Sequence, residues 1–189
     1  IPDRVEAGSY ILAAMASKGK IILNNINIDD LTFPLEVYQS MGLKIKQVST
    51  SSYEFSCTNL KSIKNIKTKE FPGYPTDLQA QLIASLLKVG QKSNITENIF
   101  ENRFIHIPEL RRFGAQLDIV GNTVVINKTN DLFGAEVMAT DIRASFSLII
   151  AAIISKGTTT INRIYHLDRG YEDFDLKLKK CGVNIKRKK

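Results

Sequence analysis

Apolar positions along the chain fall into three stretches that repeat one another. The first begins after Asp3, where RVEAGSYILAAMASKG is apolar on most helical faces and runs to Gly19. A strand-like KIILNNI follows, then a second helix, LTFPLEVYQSMG, after Asp30 and up to Gly42, then the alternating strands LKIKQV and SYEFSC. The second stretch begins at Asp77, with DLQAQLIASLLKVG reaching Gly90. SNITENI is its strand, HIPELRRFG its second helix, and QLDIV and TVVINK form a hairpin around Gly121-Asn122. The third begins at Asp141 and reads DIRASFSLIIAAIISKG, TTTINRI, YEDFDLKLKKCG and, as a last strand, VNIKRK. Helical spacing of apolar residues and strict alternation separate the helices from the strands. The glycines read as helix stops, because glycine tolerates the left-handed conformation there.

The unit is helix, strand, helix, hairpin. The intervals Gly19 to Gly42, Gly90 to Gly114 and Gly157 to Gly182 agree to within two residues. Units of this kind cannot bury their apolar faces alone and share a core. One α/β domain over 1–189 is expected, with repeats of about 1–67, 68–130 and 131–189. The first helices, LIIAAII above all, are apolar all round and belong at the centre. Periodicity alone leaves open whether strands wrap helices or the reverse. The third unit ends one strand short, so a strand is expected from before Ile1 or after Lys189. The chain lacks an initiator Met, which fits a start within a longer protein.

Composition narrows the class. The 189 residues are 43% hydrophobic and 24% charged, the balance of a globular domain. The longest apolar run, Ser147 to Ser155, is half of what a membrane span needs. The first residues lack the charged and apolar regions of a signal peptide. A net charge of +7 favours an anionic partner, though part of it sits in the tail Lys186-Arg187-Lys188-Lys189. No basic stripe interleaved with aromatics is present, which argues against nucleic acid. Cys57 and Cys181 stand far apart and read as small buried hydrophobes in a reducing cytoplasm. With two unclustered histidines, His106 and His166, no metal site is expected.

The candidate chemistry lies at the helix starts. Asp3, Asp77 and Asp141 hold the same place in the three units, where an N-cap carboxylate is the plain reading. Asp3 has Arg4 beside it and Asp141 has Arg143, whereas Asp77 has no basic neighbour in sequence, which favours it as a general base. Arg103 and Arg169 fall near the predicted starts of second helices, where a cation opposes the helix dipole unless an anion is held there too. Glu6, Glu97 and Glu101 read as structural or solvent-facing, and both histidines as packed. No glycine-rich phosphate loop, nucleophile elbow or metal motif occurs.

Five segments carry a resemblance: IPDRVEAGSY, FPGYPTDLQAQ, TENIFENRFIHIPEL, GAEVMATDIRAS and RIYHLDRGYE. In this order they resemble the C-terminal portion of the UDP-N-acetylglucosamine 1-carboxyvinyltransferases, and the likeness runs essentially from Ile1 to Lys189. The last four are long and specific, and separate this family from the shikimate-pathway enolpyruvyl transferases of the same fold. The resemblance implies an inside-out α/β barrel, with helices inside and sheets outside, that closes with a second domain over the substrates. It implies transfer of the enolpyruvyl group of phosphoenolpyruvate to the 3′-hydroxyl of UDP-N-acetylglucosamine, the committed step of bacterial peptidoglycan synthesis. The reaction goes by addition and elimination, without metal or cofactor. Carried over by motif, Asp77 contacts the sugar hydroxyl as its base, and Ile99 binds the sugar nucleotide through its main chain. Arg169 grips phosphoenolpyruvate, while Arg103, Asp141 and Arg143 line the closed cleft. Asp3, Arg4 and Glu6 are weaker candidates at the domain junction. The family's proton-donating cysteine lies on the other domain, and neither Cys57 nor Cys181 matches it. The chain alone is therefore expected to be inactive. A non-catalytic sugar-nucleotide-binding module is the alternative.

Overall fold

The computed structural model describes residues 2–188. The first unit runs α1 (Arg4–Ala16), β1 (Lys20–Leu23), a 3-10 turn (Ile28–Leu31) into α2 (Thr32–Ser40), β2 (Lys44–Ser49) and β3 (Ser52–Ser56). The second runs β4 (Asn65–Lys67), a 3-10 turn (Thr76–Leu78) into α3 (Gln79–Leu86), β5 (Ser93–Thr96), α4 (Ile107–Arg112), β6 (Leu117–Val120) and β7 (Thr123–Ile126). The third runs β8 (Glu136–Met138), α5 (Ile142–Ile154), β9 (Thr160–Asn162), α6 (Tyr165–Asp168) and α7 (Phe174–Lys180). None of these helices is long and apolar enough to cross a membrane.

Helices form the interior. Every residue of α3 from Gln79 to Leu86 is buried, as are Ala7 to Ala13 of α1 and Ala144 to Ala151 of α5. These three helices pack on one another, and a single apolar cluster runs through all three units. A helix without a polar face has no stable place at a surface, so the all-round apolar sequences set the inside-out arrangement. Contact between α1 and the start of α3 is close: a Cβ on Gly8 would lie 2.6 Å from Leu78 Cδ1. The sheets lie outside, and β1 alternates exposed and half-buried positions.

Strand pairing follows one plan. In the first sheet the order is β1-β3-β2, all antiparallel, with Ile21 opposite Phe55 and Ile45 opposite Phe55 on its other side. In the second it is β4-β5-β7-β6, with β4 parallel to β5 and the rest antiparallel. The third has β8 parallel to β9. Gly121 takes φ +59 in the two-residue turn between β6 and β7, as the hairpin signal requires.

Several expectations are corrected. Asn65–Lys67 and Glu136–Met138 are strands, and Tyr165–Asp168 is a helix, although all are too short to show a period. The residues VNIKRK are not a strand over 183–188. In each complete unit the second hairpin strand, β3 or β7, lies against the single strand, and the first hairpin strand is outermost. In the order of the repeat VNIKRK corresponds to β2 and β6, the outermost strands of the other two units. The strand that would join it to β9 is not among the described residues, so its alternating sequence has no ladder to enter. Cys57 is buried as expected, but Cys181 is exposed. The left-handed residue after α1 is Lys18, not Gly19.

Three units meet in one buried polar contact. Ser9 Oγ of α1 and Tyr171 OH lie 2.8 Å apart, and Gln81 Nε2 of α3 reaches them at 3.1 and 3.2 Å. Burial raises the Tyr171 hydroxyl to about 12, so it stays neutral. Its ring stacks on Phe146 at 4.5 Å.

Candidate functional site

The starts of α1, α3 and α5 share one end of the molecule. The Arg4 guanidinium lies over the Phe71 ring at 5.4 Å, ahead of α3, and Arg143 from the first turn of α5 reaches Asp77 at the start of α3. Asp3 and Asp141 are N-caps, as the plain reading had them. Asp3 accepts from the Val5 and Glu6 amides at 2.7 and 3.2 Å, and Asp141 from Arg143 and Ala144 at 2.8 Å each.

Asp77 is different. It sits within the 3-10 turn Thr76–Leu78, and no side chain caps α3. Its Oδ1 meets two guanidiniums: Arg103 Nη2 at 3.3 Å, and Arg143 Nε. Its Oδ2 has no partner among the described residues. The expectation of a carboxylate without a cation is therefore wrong in space, although right along the chain. Both arginines come from other segments, and Arg143, beside Asp141 in sequence, turns to Asp77. Two cations on one carboxylate leave an excess of positive charge, and the second oxygen stays open to a hydroxyl donor.

Arg103 does not begin a helix. It lies in the turns before α4, with its guanidinium over the Phe100 ring at 4.7 Å and its buried Nε without a protein partner. Arg169 closes the four-residue α6 at its C-terminal end and is exposed. Its neighbour Asp168 pairs with Arg187 at 2.7 Å, and Arg169 has no ion pair among the described residues. The helix-dipole argument thus fails for both arginines, because an unseen short helix and a long turn intervene. The Arg169 segment nonetheless lies on the start of α5: a Cβ on Gly170 would fall 2.5 Å from Ile142 Cγ2. The structure therefore joins Asp77, Arg103 and Arg143 directly, caps α5 with Asp141, and packs the segment next to Arg169 on the start of α5.

Ile99 lies in the loop after β5. Its N–H donates to Glu97 Oε1 at 2.8 Å, and its carbonyl accepts no hydrogen bond among the described residues. His106 is buried, and burial lowers it to about 4 against the opposing pull of Asp141, so the ring is neutral. A cavity of about 230 Å³ opens beside the Thr76–Asp77 turn, lined by Arg4, Asp30, Phe33, Phe71, Pro72 and Pro75. Sequence reasoning gave Glu97 only as structural or solvent-facing, and passed over Phe71 and Phe100. Only their exposure or burial marks them, and neither can be read from residue type.

The fold is that of known proteins. Residues 1–178 match the family described as EPSP synthase (3-phosphoshikimate 1-carboxyvinyltransferase), and the chain belongs to that family. Among solved structures, the enolpyruvyl transferase NikO from Streptomyces tendae superposes with a TM-score of 0.85 at 25% identity, over 98% of this chain and 44% of its own. An EPSP synthase from Acinetobacter baumannii gives 0.76 at 15% identity, over 98% and 46%, and shares the fold. The more similar sequences carry a narrower name. UDP-N-acetylglucosamine 1-carboxyvinyltransferases from Bartonella henselae and Pelagibacter ubique are 48% and 47% identical over 99% of this chain. The chain spans 44% and 45% of those relatives' length.

Proposed function

We propose that this chain supplies part of the active site of a UDP-N-acetylglucosamine 1-carboxyvinyltransferase, with phosphoenolpyruvate as the second substrate. The convergence of Arg103 and Arg143 on one oxygen of Asp77 carries the reading, because it gathers cations for an anionic substrate beside a carboxylate that they keep ionised and whose second oxygen is open to a proton. Identity near half with relatives of that name supports the sugar nucleotide over the shikimate substrate. A second domain completes the cleft, and the reaction is assigned to the cytoplasm and to bacterial cell-wall synthesis. Two unbonded cysteines fit a reducing compartment.

The residues divide the chemistry as follows. Asp77 Oδ2 accepts the proton of the sugar 3′-hydroxyl as its oxygen bonds to the substituted alkene carbon of phosphoenolpyruvate. The alkene CH₂ carbon receives a proton from an acid on the second domain, since neither Cys57 nor Cys181 matches the family's proton-donating cysteine. In the elimination half, a proton leaves that methyl group, the alkene re-forms and the C–O bond to phosphate breaks. Arg169, Arg103 and Arg143 hold the phosphate and carboxylate charges through both halves. The Ile99 carbonyl holds the sugar nucleotide. Asp141 caps α5 and so fixes Arg143 on its first turn.

The test is phosphate release. The full-length protein that contains this chain is expected to release phosphate only when both substrates are present and to form the enolpyruvyl ether, identified by mass. The 189 residues alone are expected to release none. Turnover by the isolated chain, or turnover with shikimate 3-phosphate in place of the sugar nucleotide, overturns the reading.

A further inference from the structure

Glu97 is a carboxylate sealed from solvent, 3% exposed, with no cation paired to it among the described residues. Burying such a charge is strongly unfavourable unless hydrogen bonds replace its water. Glu97 has a full set. Oε1 accepts from Thr68 Oγ1 at 2.8 Å, from the Ile99 amide at 2.8 Å and from the Phe100 amide at 3.2 Å. Oε2 accepts from Thr76 Oγ1 at 2.8 Å. Thr68 Oγ1 in turn takes the Asn98 amide at 2.8 Å. One side chain thus ties three segments: the residue after β4, the turn that carries Asp77, and the loop that carries Ile99, Phe100 and Arg103. An apolar residue would fill the same volume without the desolvation cost. The charge makes sense as a fixed acceptor that orients donors from both sides.

We infer that Glu97 is the positioning residue of the sugar-nucleotide half of the site. Through Oε2 it sets the Thr76–Asp77 turn, and through Oε1 it turns the Ile99 amide inward so that the Ile99 carbonyl faces out. The inference rests on the proposed roles of Asp77 and Ile99. It adds that their mutual distance is held by one buried carboxylate and not by the helices that flank them.

Glu97→Gln in the full-length protein is the test. The amide keeps the shape but replaces one acceptor with a donor, which then faces a hydroxyl or a backbone N–H. KM for UDP-N-acetylglucosamine is expected to rise about tenfold or more and kcat to fall, with KM for phosphoenolpyruvate within about twofold of wild type. Thr76→Val is expected to show the same split at smaller size. Thr68→Ser, which keeps the hydroxyl, is expected to restore most of what Thr68→Val loses. A purely structural role would lower Tm and the active fraction while leaving both KM values unchanged, and that result overturns the inference. If Glu97→Gln does not fold, the Val and Ser pair at Thr68 and the Thr76→Val variant decide by the same split. Wild-type turnover in Asp77→Asn would sink the proposed function instead, whatever Glu97→Gln does.

Discussion

Arg143 and Asp77 come from different units of the repeat and form an ion pair across the boundary between them, on the same carboxylate oxygen that Arg103 reaches. Both cations meet Oδ1, and Oδ2 has no partner among the described residues. A base paired in this way loses its function when the carboxylate is removed but keeps its surroundings. In the full-length protein, Asp77→Asn is expected to lower kcat by about 10²–10⁴-fold. Sugar-nucleotide affinity should change by less than about tenfold, read by calorimetry. Near-wild-type turnover would remove Asp77 from the role of base.

Arg169 is exposed and free of ion pairs among the described residues, so its charge is available to a ligand. Arg169→Ala is expected to raise KM for phosphoenolpyruvate by about tenfold to a hundredfold, the usual loss for one charge-assisted contact. Tm should move little, because no buried partner is stranded. An unchanged KM with a lowered Tm would mark the residue as structural.

The contact among Ser9, Gln81 and Tyr171 gives a prediction about stability. Tyr171→Phe keeps the stacking on Phe146 but deletes the hydroxyl that Ser9 and Gln81 share. Leaving these groups short of a partner in a dry interior costs about 1–3 kcal/mol. Urea unfolding of the 189-residue chain should show a lower midpoint at unchanged slope. A change in slope would mean that the compactness of a state has altered instead.

His106 couples stability to pH. Its folded value of about 4 lies below the ordinary value of 6.5, so the unfolded chain binds the proton more readily. The contribution is full above the unfolded value and is lost as pH falls from 6.5 towards 4. Between neutral pH and about pH 5.5 the loss from this residue is on the order of 1 kcal/mol. Chemical denaturation at the two pH values should show it, and His106→Gln should flatten the slope. An equal slope in the variant would assign the pH dependence to other groups.

Much of this was legible in the sequence, and the illegible parts share a cause. The apolar helices α1, α3 and α5 were plain because long elements carry a period, and the short strands β1, β5, β6, β7 and β9 because they recur at the same place in each unit. β4, β8 and α6 were not, because they are short and fall outside the helix, strand, helix, hairpin unit. VNIKRK looked like a strand, since alternation records which face would be buried but not whether a neighbour is there to bond. Asp77 was picked out for a reason that holds only along the chain: its companions, Arg103 and Arg143, approach through folding. Glu97 looked inert because sequence position gives no hint that its carboxylate is buried and fully bonded.

The junction of Ser9, Gln81 and Tyr171 bears on how the repeat can be handled. In sequence the units look interchangeable, yet each delivers one distinct group, a hydroxyl, an amide or a phenol, to a single shared point. A transplant of one unit over another would bring two copies of one group and none of the third. The repetition is therefore one of architecture and not of parts. Shuffling or excising a unit should fail even where every helix and strand is preserved.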